Sequence, residues 1–205
     1  MMKFNVGTAR PRLPRRVIAA VLSVAVVAVL SACKDLTSVD AGFDNVIDSS
    51  GVFYTVNNSP AGTATAINLF TGNRYRADET FAYDIAFDID SQNHVLIIPS
   101  RALATGLSTP YSVGLQKLSG VSFAQVTDAP KTGYRVDTVL VATQGSVIAI
   151  ESHDVARCGF AIKGSSYFTK MVITNVDLVN RKISTVLEVN RNCGFHSFEL
   201  GKPKS

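Results

Sequence analysis

Short apolar runs separated by turn residues fill most of this chain. From residue 51 onward, β-branched and aromatic residues gather at 52–56, 63–70, 81–90, 95–98, 111–118, 139–142, 146–150, 158–163, 167–178, 183–189 and 195–200, divided by clusters of Asn, Gly, Pro, Ser and Asp. Runs of this length with such punctuation predict strands rather than helices. In the clearest run Phe81, Tyr83, Ile85, Phe87 and Ile89 alternate with Ala82, Asp84, Ala86, Asp88 and Asp90, the period of a strand with one buried and one wetted face. Residues 91–93 predict a hairpin turn at its end. About ten short strands without a fixed repeat predict one all-β antiparallel domain over 51–205, a sandwich or barrel-like fold, and disfavour a propeller or solenoid.

The first 50 residues are patterned differently. Lys3, Arg10, Arg12, Arg15 and Arg16, with no acidic residue among them, precede a run at 17–30 that is apolar except for Ser23. A basic head before a short apolar core marks an export signal, and this core is short for a bilayer span. Leu30-Ser31-Ala32-Cys33 closes it and resembles the lipobox of bacterial lipoproteins, in which the cysteine sulfur receives a diacylglycerol and becomes the first residue after cleavage. The expectation is a signal peptide over 1–32, lipid on Cys33 and a polar tether over 33–50. Several acyl chains hold a protein on a membrane where one does not, since each buried methylene contributes about 0.8 kcal/mol. A plain signal peptide or membrane anchor with an incidental cysteine is the simpler alternative.

Cleavage changes the charge. Of 20 basic and 16 acidic residues in the chain, five basic ones leave with the signal, so 15 face 16 in the remainder. The basic character therefore belongs to the signal and makes no argument for nucleic acid. The 173 residues left after removing 32 from 205 suffice for one core. With Cys33 acylated, Cys158 and Cys193 are an even pair in an oxidising compartment, and a disulfide between them is expected; two buried thiols are the alternative. No nucleophile elbow, HExxH, P-loop or dinucleotide fingerprint occurs, and nothing predicts an enzyme.

Candidate ligands are few. Asp78, Glu79, Asp84, Asp88 and Asp90 are the densest carboxylates; they read as a wet strand face rather than a calcium loop, which would want a glycine and a distal bidentate glutamate. His94 follows a turn and is expected to be exposed. His153 sits in the polar break Glu151-Ser152-His153-Asp154 and is the best-placed exposed ligand. His196 shares strand parity with Phe198 and Leu200, and Met171 lies inside an apolar run, so both read as core residues.

Three stretches, in order, resemble the HmuY family of bacterial haem-binding lipoproteins. Asn68-Leu69-Phe70-Thr71-Gly72, followed by Tyr83-Asp84-Ile85-Ala86-Phe87, is similar to the family's aromatic strand, Thr-Gly and Trp-Asp-Ile-Ala-Phe, with Tyr83 in place of the tryptophan. Residues 120–138, with Phe123, Val126, Ala129-Pro130, Gly133-Tyr134 and Asp137-Thr138, resemble its middle loop. Tyr167-Phe168-Thr169-Lys170-Met171 with 183–189 resembles its C-terminal hairpin. The resemblance implies a monomeric lipoprotein, exposed on the bacterial outer membrane, that captures haem and passes it to a TonB-dependent transporter, with two axial side chains on the iron. On that reading the candidate ligands are His153 with one of His94, His196 or Met171, and no metal beyond the haem iron. The competing reading is a noncatalytic surface lipoprotein whose β loops bind another small ligand, a glycan or a partner protein.

Overall fold

The computed structural model describes residues 40–103, 111–161 and 163–203. The signal segment, Cys33 and the first part of the expected tether, up to residue 39, lie outside the described residues. Among the described residues, no helix is long and apolar enough to cross a membrane.

Strands β1 (Val46–Tyr54), β6 (Tyr111–Leu118), β7 (Arg135–Val136), β9 (Val147–Asp154), β10 (Ser166–Asp177) and β11 (Lys182–Asn190) form a six-stranded sheet in the order β1-β11-β10-β9-β6-β7. Strands β2 (Ala66–Ile67), β3 (Arg74–Tyr75), β4 (Ile85–Ile89), β5 (Val95–Pro99) and β8 (Leu140–Ala142) form a second, five-stranded sheet in the order β3-β2-β4-β5-β8. Every pairing is antiparallel. The sheets pack as an open-edged sandwich, with Phe87, Ile89 and Ile97 of one against Leu115, Ile150, Met171 and Leu187 of the other in a single buried cluster. The expected all-β sandwich is borne out, without closure into a barrel.

The expected turn at 91–93 is present: Ile89 pairs with Val95, and Asn93 adopts φ 67°. The Asp90 carboxylate accepts the amides of Gln92 and His94 at 2.8 Å each, the local turn chemistry that favours Asp at such corners. The disulfide is also borne out: Cys158 and Cys193 are bonded with Cα atoms 5.6 Å apart. Gly194 follows at φ 77°, where a Cβ would run into the Lys163 backbone, so this corner admits only glycine.

Elsewhere the chain departs from its pattern. Strand β1 opens at Val46, inside the stretch expected to be tether, because Asn45 is tied to the far end of the chain by backbone bonds to Gly201 and side-chain bonds to the carbonyls of Ser197 and Glu199. Residues 195–200 are not a strand. The Asn45 and Asn190 amides occupy the Phe195, Ser197 and Glu199 carbonyls that a ladder would use. Residues 158–161 are not a strand either. Asp154 accepts the Arg157 amide at 3.1 Å and starts helix α2 (Val155–Cys158), a cap that outcompetes extension. Helix α1 (Ser100–Leu103) follows β5.

The wet face expected on 81–90 is the largest departure. Asp84 and Asp88 are only 1% and 6% exposed. Each carboxylate is paired across the sandwich. Asp84 accepts the Tyr167 hydroxyl at 2.8 Å and the Leu69 amide at 2.6 Å, and Asp88 meets Arg181 at 3.1 Å. Burial raises the Asp84 pKa against the lowering effect of those hydrogen bonds, and burial foremost, then the Asp84 charge, raises that of Tyr167. Tyr83, in a side cluster with Ala66, Ala86 and Ile98, is pushed up to about 12 by burial and then by the Asp78 charge.

Candidate functional site

Strand β10 is covered on both faces from Ser166 to Ile173. Tyr167, Met171 and Ile173 point into the sandwich core, while Phe168 and Val172 pack on the outer side with Val126, Ala129, Val147 and Phe198. The cover on that outer side comes from the 120–138 segment and the C-terminal stretch. A short 3-10 turn at Phe123–Gln125 shapes the first of these, held where Gln125 Oε1 accepts the Ser122 amide at 2.8 Å and its hydroxyl at 2.9 Å. The second is stitched down by paired bonds, Ala129 N to His196 O at 2.8 Å and Phe198 N to Thr127 O at 2.7 Å.

Under this cover lies an ion pair. Lys170 and Glu188 are direct cross-strand partners on β10 and β11, 5% and 1% exposed, with Nζ 2.9 Å from Oε2. Lys170 Nζ also donates to the Val126 carbonyl at 2.9 Å. The rings of Phe123 and Phe198 stand over it, with centroids at 4.6 and 5.4 Å, within cation–π range. Glu188 Oε1 is buried and has no hydrogen-bond partner among the described residues, although a carboxylate taken out of water needs its acceptor sites filled. Beside the pair opens a cavity of about 260 Å³, lined by Ile47, Phe123, Val126, Phe198 and Leu200 among others. A small one- or two-ring molecule suits a site of this size, which falls just below the range typical of larger ligands. A wider hollow of about 520 Å³ between 117–122 and 143–147 is shallow and lined by strand ends and the loops that follow or precede them. It contains no buried charge and offers less for recognition.

The four residues singled out as ligand candidates are divided among three places. Met171 is fully buried between the sheets. His94 sits at the β4–β5 corner with Nδ1 3.1 Å from Asp90. His153 is not in a loop but on β9, half-buried, with Nδ1 3.1 Å from the Ser165 hydroxyl. His196 is half-buried as well. Its ring lies 4.2 Å from that of Phe168, and its Nδ1 is 3.1 Å from the Ala129 carbonyl. His153 faces the outer side of the sheet, paired in register with Ser166, two residues from Phe168. The fold thus brings His153 and His196 to one face and separates them from Met171 and His94. Among the described residues, no group of three or more His, Cys, Asp or Glu is placed to hold a metal ion.

Lys170 and Glu188 carried a signal in the sequence. Each is the single charge in an apolar β run, YFTKMVIT and STVLEVN, and a lone charge between residues buried on both sides demands a partner. What the sequence lacked was the register that makes them neighbours. No family model, curated protein or solved structure matches this chain.

Proposed function

We propose that this chain is a lipid-anchored, noncatalytic binding protein of the bacterial envelope that takes a small, largely apolar ring compound bearing one hydrogen-bond donor. The carrying observation is Glu188 Oε1, buried without a partner beside a cavity walled by Phe123 and Phe198. Because Lys170 already neutralises the carboxylate, a neutral donor such as a phenol or indole suits the site better than a further cation. The lipobox-like Leu30-Ser31-Ala32-Cys33 supports the anchor. Indole is a clean probe, since the chain contains no tryptophan. Titrating indole fluorescence with the soluble domain should show saturable binding that Lys170→Met/Glu188→Met abolishes; a linear response, or one that the double variant leaves unchanged, dismisses the pocket.

Haem capture is the second reading, motivated by His153 and His196 sharing one sheet face and by the ordered motifs that resemble the HmuY family. Met171 and His94 do not fit an axial pair with either of them, being on another face and another sheet. In both remaining histidines Nδ1 is engaged by a hydroxyl or carbonyl, the arrangement that orients an imidazole to coordinate through Nε2. A haemin titration followed by absorbance, repeated on His153→Ala and His196→Ala, tests this; an unchanged Soret band in the parent protein ends it.

A further inference from the structure

We propose that the disulfide end of the sandwich rests on the bilayer that holds the lipid, with Phe160 inserted among the phospholipids. This rests on the reading of Cys33 as lipidated. Phe160 is fully exposed, at 101%. It projects from a turn closed by backbone bonds from Gly159 to Val155 and from Ala161 to Cys158, both 2.9 Å. The same turn is fixed by the Cys158–Cys193 bond, whose Cys158 is buried in the core. A large aromatic held wholly in water on a covalently pinned corner contributes nothing to folding and is costly to expose.

The surroundings match a phospholipid surface. Phe43, Phe160 and Phe195 border a cavity of about 300 Å³ together with Lys163 and Arg191, two cations against the single carboxylate of Asp40. Lys163 Nζ lies 4.2 Å from the centroid of the Phe195 ring, so aromatic and cationic groups are interleaved as at a membrane interface. The covalent chain limits the geometry. Asp40 lines this cavity, and the seven residue steps from Cys33 to Asp40 reach at most about 25 Å when fully extended. By contrast, Val179 is 92% exposed at the opposite end of β10. The 12 residues of that strand span about 40 Å, so one exposed apolar corner is leashed close to the lipid and the other is held away.

The test uses the full chain, expressed with its signal and purified in detergent, with Phe160→Trp or Val179→Trp as the sole tryptophan. Intact mass of the N-terminal peptide first establishes whether Cys33 carries diacylglycerol. Each variant is then reconstituted into phosphatidylethanolamine and phosphatidylglycerol vesicles containing bromine-labelled acyl chains. The expected result is a blue-shifted, strongly quenched indole in Phe160→Trp and an unshifted, unquenched one in Val179→Trp, with quenching in the former reduced by added Lys163→Glu. Lipidated protein in which the two indoles are quenched equally overturns the docking alone. Absence of lipid on Cys33 overturns the anchor and the docking together.

Discussion

Within the six-stranded sheet, the side of β10 that faces the core and the side that faces outward are both buried, but they complete their charges differently. On the inner side, Tyr167 reaches Asp84 across the sandwich and the Leu69 amide takes the other carboxylate oxygen, so the buried acid has a donor on each oxygen. On the outer side, Lys170 fills one oxygen of Glu188 and leaves Oε1 without a donor. The Thr169 and Thr185 hydroxyls also lack partners among the described residues, but a neutral hydroxyl costs far less to leave open than an ion. A completed charge serves as a cross-link between layers. An incomplete one beside a cavity is where a ligand adds something the fold has not supplied.

This contrast leads to four expectations. Lys170→Met strands the Glu188 carboxylate and should lower unfolding free energy in urea by about 3–5 kcal/mol, whereas Lys170→Met/Glu188→Met should return it to near the parent value. A single-variant cost below about 1 kcal/mol would mean that the pair is wetter than its burial implies. Removing the disulfide with Cys158→Ser/Cys193→Ser, which opens a 35-residue separation, should cost roughly 3–4 kcal/mol by the chain-entropy model while indole binding persists. Met171→Leu on the inner face should cost under about 1.5 kcal/mol as a volume-conserving swap and leave both ligand titrations unchanged; altered haemin spectra would show that Met171 reaches the iron.

The subtlest effect concerns pH. Because burial raises the Asp84 pKa in the folded state, the folded carboxyl holds its proton to higher pH than the unfolded one. Its contribution is therefore complete below the ordinary carboxylate range and is lost as pH rises from about 4 through the raised value. Asp84→Asn, which cannot ionise, should flatten that part of the stability–pH curve. A curve parallel to that of the parent protein would mean that Asp84 titrates elsewhere.

Much of the scaffold was readable from local pattern, and its failures have local causes. The alternation in 81–90 correctly sends Ile85, Phe87 and Ile89 to the core, yet it assigns Asp84 and Asp88 to water because periodicity registers polarity and not partners. Tyr167 and Arg181, whose side chains bury those acids, lie 83 and 93 residues away. The runs at 158–163 and 195–200 look apolar enough for strands, but the helical turn that Asp154 starts takes the Gly159 and Ala161 amides of the first, and the Asn45 and Asn190 amides claim carbonyls of the second. The outer-face site was the least legible. It needs the β10–β11 register to bring Lys170 beside Glu188, and a distant loop to lay Phe123 over Lys170.

Turn chemistry and strand periodicity act over a few residues, so the order of residues alone determines an antiparallel β domain, and the two cysteines within that domain, Cys158 and Cys193, are bonded to each other. Which strand faces are covered twice, which carboxylate finds two donors and which finds one, and which histidines share a surface depend on contacts between segments far apart in the chain. Burial and hydrogen-bond geometry at those contacts have no local counterpart, and only the packed sandwich decides them.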